Sequence, residues 1–309
     1  MRIRPSQLAV GAGALLVVVS AVLFAVFVYP WVELPDDPPE RIQARWRRAL
    51  RIAEKGPVCG EKGAELLRAL ERIEPVAFEL DDLVSAKRGV PKLEHGDLPP
   101  AAAAALDELV AWSEGEAGMP LAAPCAEAID AIAALRLGQI ALAVGGGPGG
   151  AGESRAALRL ASGLRECGAL LTAMVGTRLA DLALEQHLEH DAPSIELLLQ
   201  GRPSAEEVLP VVARELVCNV RMLRAAGADE QGPLRRELLW MEKLYSDALL
   251  AAAEHPEDLD ALAEAVDWSD QELPRSSLID GLMPSVMKVQ ILEMRNVIRG
   301  YDELAASAP

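Results

Sequence analysis

The feature that most constrains this chain is an apolar run near its amino terminus. From Leu8 to Val28 (LAVGAGALLVVVSAVLFAVFV) no residue carries a charge. At a helical rise of about 1.5 Å per residue the run spans roughly 30 Å, the thickness of a bilayer hydrocarbon core. Tyr29 and Trp31 follow, residue types whose rings favour the headgroup level, and Pro30 and Pro35 end the helix. The run reads as a transmembrane anchor over residues 8–29, contacting the lipid bilayer along its length. A cleaved signal peptide is the competing reading. Its apolar region would be about 7–15 residues long and followed by small residues. Phe27, Val28, Tyr29, Pro30 and Trp31 suit cleavage poorly. No later segment repeats such a run, so the expectation is a single-pass signal-anchor protein.

Orientation is set by two competing groups of basic residues. Arg2 and Arg4 precede the run, while Arg41, Arg45, Arg47, Arg48 and Arg51 follow it beyond Glu33, Asp36, Asp37 and Glu40. A short tail with two arginines ordinarily stays in the cytoplasm. The expectation is a cytoplasmic tail over residues 1–7 and a large domain outside the cytoplasm. The reverse arrangement, a cytoplasm-facing adaptor, is the alternative. With 47 acidic against 30 basic residues the net charge is −17, which argues against a nucleic-acid partner. A hydrophobic content of 51% excludes wholesale disorder.

Beyond the anchor the periodicity is helical. Residues 30–40 form a Pro-rich tether. Pro38-Pro39 opens a helix to about Lys55, and a second covers about Gly63 to Ile73. Pro99-Pro100 opens one to about Ser113, and Pro124 one to about Val144. After Gly145–Gly152 (GGGPGGAG), Leu160, Leu164, Cys167, Leu171 and Met174 form a stripe that predicts one helix running to about Leu188. Ser204 and Glu207 read as a capping box for a helix to about Ala226. Pro233 and Pro256 open two more. The last runs from Ser276 to about Ala305, kinked or interrupted at Pro284, with Met287, Ile291, Met294, Ile298 and Tyr301 as its stripe. Strand patterns are scarce, so the fold class is all-α: a transmembrane helix, then a multi-helix antiparallel bundle or array. The glycine run divides it into helical subdomains over residues 41–144 and 153–309, with 145–152 as linker.

Candidate chemistry is sparse. Gly145, Gly147 and Gly150 fit G-x-G-x-x-G and resemble the flavin-binding turn of Rossmann oxidoreductases. The segment before them keeps a helical period where that turn needs a strand, and the expected acidic residue is missing downstream. His187 and His190 share a helix face with Asp191, but at a helix end and in neither zincin spacing. His95 and His255 fall in loops. Four of the five tryptophans, Trp46, Trp112, Trp240 and Trp268, sit on amphipathic stretches and read as core. No catalytic, cofactor or metal residue is assigned, and a catalytic cysteine finds no base. Cys59, Cys125, Cys167 and Cys218 form no C-x-x-C pair. In an exported domain their even number makes disulfides plausible, with Cys59–Cys125 and Cys167–Cys218 the preferred pairing of three.

Two segments carry a resemblance. AALRLASGL (156–164) followed by LLTAMVGTRLADLALE (170–185), and LIDGLMPSV (278–286) before the last helix, are similar to an uncharacterised class of bacterial membrane-anchored, Ala/Leu-rich helical proteins. The resemblance implies architecture only: an anchor in the bacterial inner membrane and a periplasmic helical ectodomain. The function expected is protein–protein interaction or scaffolding in the cell envelope, through a protein partner. A small-ligand binder or enzyme with a site between helices is the alternative.

Overall fold

The computed structural model describes residues 34–54, 64–80, 84, 91–115, 130–147, 149–167, 170–225, 235–268 and 284–307. Among them every regular element is helical. The apolar run Leu8–Val28 lies outside the described residues. Among the described residues no helix is long and apolar enough to cross a membrane.

The chain starts with α1 (Pro39–Ala53), whose first turn carries proline where a missing N–H costs nothing. Ile42, Trp46, Ala49, Ile52 and Ala53 bury one face. Next come α2 (Ala64–Ile73), α3 (Pro100–Glu114) and α4 (Ala131–Gly145). Asp130 caps α4 by accepting from the N–H groups of Ile132 and Ala133 at 2.9 and 3.0 Å. The predicted start at Pro124 lies outside the described residues.

The single helix expected after the glycine run is two helices, α5 (Ala151–Cys167) and α6 (Leu170–His190), packed side by side. The stripe therefore breaks. Leu160 and Leu164 are buried, whereas Leu171 is 60% exposed. In α6 the buried face shifts to Leu170, Ala173, Gly176 and Ala180. The close approach depends on Gly176, where an added Cβ would lie 2.4 Å from the Ala161 carbonyl oxygen.

After α6 come the short α7 (Ile195–Gln200), which the periodicity did not predict, and α8 (Ala205–Leu223), α9 (Arg235–Ala252), α10 (Leu259–Ala265) and α11 (Pro284–Ser307). Asp258 caps α10 through the Ala261 N–H. The predicted α11 stripe, Met287, Ile291, Met294, Ile298 and Tyr301, is buried throughout. Of the four tryptophans among the described residues, Trp46, Trp112 and Trp268 are buried and Trp240 is half-buried.

Two hydrophobic cores organise the body. The first joins α2 to α7 and takes Tyr301 and Leu304 from the end of α11. The second joins α1, α8, α9 and α10 with the amino-terminal part of α6 and most of α11. The glycine run is thus a turn inside the first core rather than a linker between two subdomains. It joins α4 to α5, which pack together, and an added Cβ at Gly150 would meet the Gly145 backbone at 2.6 Å. Gly149 has a φ of +87°, which glycine tolerates best. The segment before the turn is helix α4, so the strand a dinucleotide fingerprint needs is not there. The long helices α6 and α11 thread both cores and tie them together.

Candidate functional site

A cleft of about 530 Å³ opens where the carboxyl ends of α1, α5 and α9 converge on the amino end of α8. This size falls within the range of small-ligand sites. Ile52, Leu209, Pro210 and Pro256 give it an apolar wall, and Glu166, Ser204, Glu206, Glu207 and Arg214 give it polar groups. On α8, positions 207, 210 and 214 repeat at helical spacing and so face the cleft together.

Behind the cleft, Arg165 of α5 is 97% buried. Its Nε faces Glu207 Oε2 at 3.1 Å and its Nη2 donates to the Gly201 carbonyl at 2.9 Å. Nη1 is buried with no hydrogen-bond partner among the described residues. Arg214 donates from Nη2 to the Glu166 carbonyl at 2.8 Å. The Glu166 carboxylate accepts from Ser162 Oγ at 2.8 Å. Among the described residues Glu166 and Glu206 have no ion-pair partner, so negative charge is in excess along the lining.

Burial pushes the Glu207 carboxyl above the usual carboxylate range. The Arg165 charge pulls it back, and the charge on Glu166 pushes in the same direction as burial. Burial likewise holds the Arg214 guanidinium below its ordinary value. Beside the cleft, Glu215 Oε2 accepts from the Leu170 N–H at 3.3 Å and so satisfies the first turn of α6. Burial raises this carboxyl too.

The capping box is half realised. Ser204 Oγ accepts from the Glu206 N–H at 3.3 Å, as an N-cap should. Glu207, which a capping box would turn back on Ser204, instead reaches across to Arg165, 42 positions away in the chain. Arg165 and Arg214 carry no sequence signal of this role, because their partners lie 36 to 48 positions away in the chain, and the one side-chain bond of Glu166, to Ser162 on its own helix, does not reveal the cleft.

The other sequence candidates lie elsewhere. His187 and His190 fall in the last turn of α6. His187 Nδ1 donates to the Pro193 carbonyl at 2.8 Å, which closes the helix end. His190 is exposed at the helix surface. Among the described residues no group of three or more His, Cys, Asp or Glu is placed to hold a metal. Cys59 and Cys125 lie outside the described residues. Cys167 is the last residue of α5, and its side chain also lies outside them. Cys218 lies on α8, 8% exposed, and carries no free thiol.

No protein-family profile, curated protein or solved structure matches this chain.

Proposed function

We propose that this chain is a single-pass, membrane-anchored helical domain on the extracytoplasmic face of a bacterial inner membrane, where it serves protein–protein interaction or scaffolding. The observation that carries the reading is the join between the apolar run and the folded body. Pro35 is already buried, and Asp37 pairs with Arg45 at 2.5 Å while Arg45 also reaches Asp247 of α9 at 3.4 Å. The body therefore begins about six residues after Val28. Six residues span at most roughly 20 Å, so an anchor there holds the domain at the membrane surface. The test is alkaline carbonate extraction of membranes carrying the full chain or residues 33–309 alone. The full chain is expected to stay with the membrane and the shorter chain to be released as a helical protein. Release of the full chain would overturn the anchor.

Export accounts for the cysteines as well. Arg214 and Cys218 are one turn apart on α8, and Arg214 bonds the carbonyl of Glu166, the neighbour of Cys167. This placement supports Cys167 as the partner of Cys218, with Cys59 and Cys125 as the second pair. Alkylation in whole cells before intact mass measurement is expected to block no thiol. Four blocked thiols would favour the cytoplasm-facing orientation.

The alternative of a ligand site between helices is favoured by one observation, the cleft at the amino end of α8.

A further inference from the structure

We propose that the cleft at the amino end of α8 binds a basic polypeptide segment of a partner, one cationic side chain entering between Glu166, Glu206 and Glu207. The inference rests on the reading of this chain as an interaction domain and names the chemistry of its partner.

Three features of the cleft lead to this occupant. The first is charge. The lining holds three carboxylates against one arginine, Arg214, which bonds the Glu166 carbonyl; among the described residues only Glu207 of the three carboxylates is ion-paired, to Arg165 behind the wall. The charge on Glu166 stands close enough to Glu207 to oppose its ionisation. The carboxyl ends of α1, α5 and α9 add the negative poles of three helices, against the positive pole of α8 alone. An incoming cation relieves this repulsion, and an anion would add to it. The second feature is the apolar wall of Ile52, Leu209, Pro210 and Pro256. A long arginine or lysine stem can lie along it while its charged head meets the carboxylates.

The third feature is an unmet donor. Arg165 lines a small crevice of about 10 Å³ that shares Ser204 and Glu207 with the cleft wall. This is room for about one oxygen-sized atom. The Arg165 side chain is 4% exposed, and its Nη1 has no acceptor among the described residues. Arg165 lines this crevice and not the cleft itself, so its donor is reached only past Ser204 and Glu207. A peptide carries a side-chain cation for the carboxylates and a main-chain carbonyl oxygen that can be offered at that opening; a simple amine or metal ion carries only the first. The excess of acidic residues over the whole chain, 47 against 30, draws such a partner toward the domain before it docks.

The test is calorimetric titration of the full chain in detergent micelles with three probes. They are a five-residue peptide, blocked at both ends, with arginine at its centre between leucines; the same peptide with glutamate at its centre; and n-butylguanidinium. The arginine peptide is expected to bind at least tenfold more tightly than either of the others and to weaken as salt is raised. The double variant Glu166→Gln, Glu206→Gln is expected to lose at least tenfold in affinity for it. Among the described residues neither carboxylate holds an ion pair, so the fold is expected to survive, and an unchanged melting temperature checks that it does. Absence of binding, equal binding of the glutamate peptide, or unchanged affinity in the double variant would overturn the proposal. Equal affinity for n-butylguanidinium would overturn the polypeptide part by showing that the cation alone suffices. Carbonate extraction reads the anchor independently, so failure of this titration and failure of the anchor are distinguishable.

Discussion

Removing the guanidinium of Arg165 tests the construction of the cleft wall most directly. The side chain is 4% exposed, donates to the Gly201 carbonyl at 2.9 Å and faces Glu207 at 3.1 Å. Arg165→Met keeps much of the apolar stem and removes both polar contacts. Breaking a buried ion pair from one side costs about 3–5 kcal/mol, because the remaining charge loses its partner. Glu207 keeps a quarter of its side-chain surface in water, so it recovers some hydration and the loss falls at the lower end, about 3 kcal/mol. Glu207→Gln keeps an acceptor for Arg165 but removes the opposing charge, for a loss of about 2 kcal/mol. The double variant has neither buried charge. It is expected to lie at least about 1 kcal/mol above the stability that the two single losses predict together. Urea unfolding followed by circular dichroism reads all three. With a slope of about 3 kcal/mol per molar, Arg165→Met is expected to lower the midpoint by about 1 M. Additivity within about 0.5 kcal/mol would refute the pairing as the source of the effect.

Three further outcomes follow from the packing and the caps. Gly176→Val puts a branched side chain against the Ala161 carbonyl, where even a Cβ would lie at 2.4 Å, and is expected to cost about 2 kcal/mol or more in a thermal or urea melt. A neutral result would mean that α5 and α6 are not so closely apposed. Asp130→Ala removes the acceptor for two N–H groups at the start of α4 and is expected to cost about 1 kcal/mol, whereas Asp130→Ser is expected to retain most of the stability. The Glu215 carboxyl has its pKa raised by burial from an ordinary 4.5, so the folded state holds its proton more tightly than the unfolded chain. Its contribution to stability is therefore largest at low pH and falls as the pH climbs from about 4.5 through the folded value. Glu215→Gln, which still accepts from Leu170, is expected to compare more favourably with the parent protein at pH 7.5 than at pH 4 when urea midpoints are measured; the opposite order would contradict the burial of this group.

What could be read from the chain was local. Proline pairs placed the starts of α1 and α3, and a spacing of three and four identified the α11 stripe before its surroundings were known. Asp130 and Asp258, both working as N-caps, lie among residues whose types favour that role, yet the expected starts were the prolines ahead of them. The glycine run shows where local reading stops. Such a sequence suits a flexible linker and a tight turn equally, and the choice depends on whether the helices on either side pack together, as α4 and α5 do. The break between α5 and α6 follows the same logic. A continuous stripe of apolar residues permits one long helix, but two helices lying side by side bury more of the surface around Leu164, Gly176 and Leu179.

The sequence by itself determined the helical class and the apolar run from Leu8 to Val28. Both depend on backbone propensity and on residue spacing within one or two turns. Only the tertiary structure decided that the cores divide along α6 and α11, and that Glu207 leaves its capping box for Arg165. Only there do Glu166, Glu206 and Arg214 line one cleft. These contacts join helices up to 48 positions apart, and their geometry is set by how helix ends converge, which no local spacing encodes.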